Sequence, residues 1–190
     1  MNDEKLHQLI QRAEIERSLK EEFESSFEER INRYLEVKPH EIVADTHFAR
    51  VSAECSLLFR DGHYFGCIAL TQAVAEALVR FLHNVRFNRH STHFERNVKH
   101  LHEQGFISSV TQDSLLKVWD NRDDYHHLNP TIETNRQKLE ELAKGKLQLL
   151  KMVENEIFAF DVVNGKLTLK YPEHWDKAGN NVNVFLRFEP

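Results

Sequence analysis

The hydrophobic period of this chain changes once, and that change limits the fold more than any other feature. As far as Glu156 the apolar residues recur at helical spacing; from Phe158 onward they alternate. Such a chain is mainly α, an antiparallel helical bundle with a small antiparallel β appendage at its C-terminal end. Residues 3–36 read as one long amphipathic helix, with Leu6, Leu9, Ile10, Ala13, Leu19, Phe23, Phe27, Ile31, Tyr34 and Leu35 near the repeat, and Pro39 closes it. The next helix starts near Asp45 or Thr46, turns Phe48, Val51, Cys55, Leu58 and Phe59 inward, and stops at Asp61-Gly62. A third runs from about Tyr64 to Val85. Its Ile68, Ala69, Ala73, Ala75, Ala77, Leu78 and Leu82 make it apolar on most sides, as a central helix must be.

Thr92 and Glu95 have capping-box spacing and open a short helix that ends at Gly105. One further helix is expected from Thr111 to Leu128, stopped by Asn129-Pro130, and a last one from Thr131 to Glu156. Asn164-Gly165 then joins two alternating runs as a two-residue hairpin turn, and Val182, Val184, Leu186 and Phe188 alternate again. The expected organisation is an N-terminal helix over 1–40, a bundle over 41–157, and a hairpin or meander over 158–190 packed on the bundle.

At 190 residues and 41% hydrophobic composition the chain can bury a core without staples. Cys55 and Cys67 lie among apolar neighbours and read as buried thiols rather than a disulfide or metal pair. The start of the chain has no leader-like apolar segment, and no unbroken apolar run approaches the length of a membrane span, so a cytoplasmic protein that avoids membranes is expected. A net charge of −5 argues against coating nucleic acid by bulk electrostatics. The charge is uneven, however. Acids outnumber bases ten to six between Asp3 and Glu36, whereas Arg80, Arg86, Arg89, Arg96 and Lys99 face only Glu95 between Arg80 and His102. That basic strip is either a solvated helix face or a surface for an anionic strand.

Polar groups crowd one segment, Trp119 to Pro130, at the end of a helix in an otherwise leucine-rich bundle. Arg122-Asp123 followed by His127 resembles the signature of the HEPN superfamily: an Arg, a polar residue, and a His little more than one helical turn beyond. The likeness covers roughly residues 45–155, including the entry Gly62-His63-Tyr64-Phe65 and the Ala-rich helix bearing Glu76; the long acidic first helix and the strands depart from the minimal pattern. It implies a homodimer in which two such pairs face one another, a metal-independent endoribonuclease, and a toxin or defence setting with an antitoxin or system protein as partner. The residue types suit the chemistry. RNA carries its own nucleophile in the 2′-hydroxyl, imidazole titrates near neutral pH, and a guanidinium binds two phosphoryl oxygens while staying charged.

Arg122 and His127 are therefore the expected catalytic pair, about 140° apart in helical projection and placed to flank a groove. The resemblance assigns Asp123 a part in orienting one of them, against the alternative of a solvated charge. Tyr125 and His126 are candidate RNA contacts, with packing and solvent exposure as their respective alternatives, and Arg86, Arg89, Arg96 and Lys99 extend the surface. No cofactor is expected. His90 with His93, or His100 with His102, could supply metal ligands beside Glu95 or Asp124, but the sequence lacks HExxH and CxxC spacing. GxSxG and phosphate-cradling glycine loops are absent too. The other function class compatible with these residues is a non-catalytic dimeric bundle that binds RNA or protein.

Overall fold

A computed structural model describes residues 3–38, 41–88, 92–175, 177–178 and 181–187. Seven helices carry the fold among them: α1 (Asp3–Val37), α2 (His47–Arg60), α3 (Tyr64–Phe87), α4 (Phe94–Glu103), α5 (Ser109–Trp119), α6 (Arg122–His127) and α7 (Arg136–Ile157). The short strands are β1 (Ile42–Ala44), β2 (Phe160–Val163), β3 (Lys166–Leu169), β4 (Lys177–Ala178), β5 (Asn181–Val182) and β6 (Val184–Leu186). The mainly helical architecture with a long first helix and small C-terminal strand pairs is the one the hydrophobic period demands. Pro39, His90 and Phe188 lie outside the described residues.

α3 is the centre of the bundle and packs on α2, α4, α5, α6 and α7. It is long and apolar enough by composition to cross a membrane, and half of its most apolar stretch is buried against the other helices. Both thiols lie in this interior. Burial pushes them up, Cys67 to about 12. The α2–α3 link is tight because Gly62 takes φ +76° and because a Cβ there would come within 2.6 Å of the Arg136 guanidinium.

Among the described residues, the bundle contacts of α1 come from its last turns. Arg30 reaches Asp61 at 2.6 Å, Arg33 meets Glu140 at 3.3 Å and donates to the Arg60 carbonyl, and the buried Val37 offers its carbonyl to Ser56. Residues 4–25 are exposed on every face of the helix. The amphipathic periodicity of α1 is real, but among the described residues no surface covers most of it.

Two helix boundaries depart from the sequence reading. α4 begins at Phe94 with no side-chain cap, so the Thr92/Glu95 box does not form. Packing sets that end instead: the buried Phe94 ring stacks on Trp119 at 4.2 Å and 16°. α7 starts at Arg136 rather than Thr131 because Asn135 caps it, accepting from the Lys138 amide at 3.1 Å. The third and largest departure, a break within the helix expected over 111–128, forms the candidate site described below.

Asn164 (φ 52°) and Gly165 (φ 74°) make the hairpin turn between β2 and β3 as expected. β6 does not extend that hairpin. It pairs antiparallel with β1, Ile42 opposite Leu186 and Ala44 opposite Val184, so the strands form three separate two-stranded ladders rather than one meander. The residue after β6 fastens the arrangement: Arg187 makes a bidentate pair with Glu154 of α7 at 2.6 and 2.8 Å and donates to Ser52 of α2. Side chains of that ion pair are 1% and 2% exposed.

Candidate functional site

The segment expected as one helix is two, broken at Asp120 and at Asn121, whose φ is 57°. Asparagine tolerates the left-handed region better than most residues, which is the local half of the cause. The other half comes from distant elements. Lys146 of α7 is buried and its Nζ donates to the carbonyls of Val118 (2.7 Å) and Asp120 (2.8 Å), and at 3.3 Å to Lys117. Gln72 of α3 donates to the Val118 and Asp120 carbonyls at 3.2 and 3.0 Å. An ammonium and an amide thus satisfy the carbonyls that helix continuation would otherwise have used. Removal from water pushes the Lys146 ammonium down to about 8, partly offset by Asp120. The other end of α5 is pinned as firmly: Ser108 caps the Thr111 amide, and the Glu156 carboxylate accepts from the Ser108 amide, the Ser108 hydroxyl and the Thr111 hydroxyl.

Arg122 opens α6 directly after this break. Its guanidinium lies 5.0 Å from the Trp119 ring centroid and its Nη1 donates to Asp123 at 3.0 Å, while the buried Nε has no acceptor among the described residues. Thr92, His93, Phe94, Glu95 and Arg96 come up beside it from the start of α4. Together with Trp119, Arg122 and Asp123 they line an open depression of about 650 Å³. Its aromatic wall is the half-buried Trp119, backed by the buried Phe94 stacked on it, and its cations are Arg96 and Arg122. A flat aromatic surface beside fixed guanidinium groups can stack a base and hold a phosphate. The rim is mixed in sign, because Asp120 and Asp124 stand in a smaller adjoining hollow with Glu95 and Asp123.

The expected site residues fall into two groups. Arg122, Asp123 and Arg96 come together at the depression. His127 does not join them: it closes the last turn of α6, exposed, five residues and about 7.5 Å along the axis from Arg122. The imidazole on the Arg122 side is His126, one turn away. Burial holds its pKa below the usual value, helped by the Arg122 charge and opposed by Glu76 and the Ala69 carbonyl; its Nε2 is buried with no partner among the described residues. Tyr125 is buried against α3, its ring 6.2 Å from Phe65, which answers the packing alternative for this residue.

The basic strip is divided as well. Arg86 is engaged, 2.7 Å from Glu173 and stacked over Phe106, whereas Lys99 is exposed beside Glu103. Arg89 lies outside the described residues. Among the candidate metal ligands, His100 lies 3.1 Å from His83 and His102 the same distance from the Ile107 carbonyl; no His/Cys/Asp/Glu cluster suited to a metal occurs among the described residues. Phe94, Lys146 and Gln72 are parts of the site that the sequence reading did not find, and His93, weighed there only as a metal ligand, lines the depression instead. The available signal was Trp119, an aromatic at the edge of a polar run. No family model, curated protein sequence or solved structure matches the chain.

Proposed function

We propose that the chain is a cytoplasmic RNA-binding bundle that acts as a metal-independent endoribonuclease, with Arg122 and His127 on the scissile phosphodiester. The carrying observation is the guanidinium of Arg122, set over Trp119 by the α5–α6 break at the mouth of an open depression that also holds Arg96 and Phe94. A base packed beside Trp119 and Arg122 brings its phosphate to the two guanidinium groups. In the reaction, the 2′-hydroxyl oxygen bonds to phosphorus as an imidazole takes its proton. The P–O bond to the next nucleotide breaks, its 5′-oxygen gains a proton, and a 2′,3′-cyclic phosphate remains. Arg122 stabilises the extra charge on the phosphoryl oxygens. His127, solvent-exposed two steps from the helix stop at Asn129-Pro130, is open to RNA.

One observation favours a second reading, a non-catalytic scaffold that uses the same depression. Arg122 and His127 sit at opposite ends of α6 in one copy, so a complete pair requires His127 from elsewhere, as the HEPN resemblance implies for a homodimer. The purified chain is incubated with single-stranded and hairpin RNA in EDTA. Cleavage that leaves cyclic phosphate ends and falls at least about 100-fold in both Arg122→Ala and His127→Ala supports the enzyme. RNA that is bound but intact, with affinity lost in Arg122→Ala and kept in His127→Ala, supports the scaffold. Loss of all cleavage on chelation overturns the proposed chemistry.

A further inference from the structure

α1 presents an apolar surface that this copy of the chain leaves in water. On a helical wheel, Leu6, Leu9, Ile10 and Ala13 fall on the same arc, about 100° wide, as Phe27, Ile31 and Leu35. Between these two apolar ends the arc carries only charges: Arg17, Lys20 and Glu24. The side of α1 that holds Arg30, Arg33 and Val37 against the bundle lies elsewhere on the wheel, so docking onto α2 leaves the arc open. Its six large apolar side chains keep between 39% and 67% of their surface in water. With the three charges they offer roughly 800 Å², the share each partner brings to a standard stable interface. A lone helix gains little stability from propensity and is normally held by covering such a face.

The charges identify the cover. An excess of acids over bases on α1 disfavours RNA and anionic lipid surfaces. Two copies of α1 laid antiparallel and centred between Lys20 and Glu21 match along their length. Leu6 then shares a level with the other copy's Leu35, and Ile10 with its Ile31. On the arc itself Arg17 stands level with Glu24, and at the centre Lys20 is level with Glu21; along the whole helix no acid is level with an acid. Sliding by one residue destroys the match, bringing Glu16 level with Glu24 in one direction and Glu14 with Glu28 in the other. A parallel pair sets the acid-rich second half of α1 against itself. The intrahelical pairs Arg17–Glu21 and Lys20–Glu16 are solvent-exposed and oppose re-pairing only weakly.

We infer that α1 is a self-association helix: two copies of the chain pair through antiparallel α1 arcs, with residues 6–13 of each covering the groove beside Phe27, Ile31 and Leu35 of the other. That groove has a volume of about 370 Å³. The inference rests on α1 alone and is independent of the RNA reading.

Sedimentation equilibrium of the full chain from low to high micromolar concentration tests it. A reversible dimer is expected, with Arg17→Glu and Glu24→Arg each weakening it at least about tenfold and the double exchange recovering most of the loss, since both partners then swap sign. Orientation is read by cross-linking under oxidation. Lys20→Cys, near the centre, should yield a covalent dimer while Leu9→Cys, far from it, should not; the native thiols are buried. Circular dichroism confirms that each variant stays folded, as expected for exposed positions. A monomer at every concentration overturns the inference, as does a dimer indifferent to both single exchanges. Equal cross-linking at both cysteine positions does so too.

Discussion

Two regions of this molecule break the rule that apolar groups go inside and polar groups outside, and they break it in opposite directions. Around α7 the interior holds charge: Lys146 sits under the end of α5, and Glu154 meets Arg187 where both side chains are almost fully enclosed. Along α1 the exterior holds Leu9, Ile10 and Leu35. Supply of partners separates the two cases. Each buried charge is paired or hydrogen-bonded by residues from another element, which offsets much of the desolvation cost. On α1 the described residues provide no second surface, and the apolar groups stay where they are. A substitution of a buried α7 charge should therefore register in the folding equilibrium of a single copy, and one on the exposed first turns of α1 should not.

Glu154→Ala tests the comparison most severely. It leaves the Arg187 guanidinium enclosed without its carboxylate and removes the tie between α7 and the segment after β6, with only Ser52 of α2 still holding Arg187. A loss of about 3–5 kcal/mol is expected in urea unfolding. A loss below about 1 kcal/mol would mean that the pair is not enclosed in solution.

Lys146→Met sharpens the same side. Three carbonyls lose the ammonium, two of them keeping Gln72 as a donor, and a drop of about 1–3 kcal/mol is expected near neutral pH. The pH dependence has a definite sign. Because the folded ammonium titrates near 8 and the unfolded one near 10.5, the unfolded chain binds more protons between those values, and this group's contribution to stability rises with pH across that window. The difference in unfolding free energy between the native chain and Lys146→Met, followed from pH 7 upward, should therefore widen above pH 8. A flat difference would place the ammonium in water.

Leu9→Ser should have the smallest effect. With over half its surface in water, the side chain contributes to no core, and the unfolding free energy of the dilute monomer should stay within about 0.5 kcal/mol of the native value. A larger loss would show that the outer part of α1 folds back onto its own bundle, and the contrast between the two regions would disappear.

The same distinction explains what could be read in advance. The β2–β3 turn was legible because Asn164-Gly165 contains its own cause, and most helix positions followed from periodicity alone. The break between α5 and α6 was not legible. Asp120 and Asn121 look like an ordinary helix surface, and the groups that stabilise the break come from Gln72 and Lys146, one on each flank of the motif and far from it in sequence. β1 was missed for a similar reason: three residues from Ile42 to Ala44 become a strand only when Val184–Leu186 arrives beside them. At the site, Arg122 stood out as a cation in a leucine-rich context. Its surroundings did not, since Phe94 and Arg96 reach the depression from the first turn of α4. His126 and His127 are indistinguishable by composition, and only the helix register shows which of them turns toward Arg122.

The Arg187 clamp also imposes an order on biosynthesis. Ser52, Glu154 and Arg187 emerge from the ribosome in that sequence, and β1 emerges long before β6. Until the clamp residue clears the exit tunnel, a nascent bundle holds a carboxylate with no counter-ion and a strand edge with no mate, both hydrated. The final locking of α2 to α7 is thus a late, post-helical event, and a translational pause shortly before that point would extend the lifetime of a loosely closed, protease-sensitive intermediate.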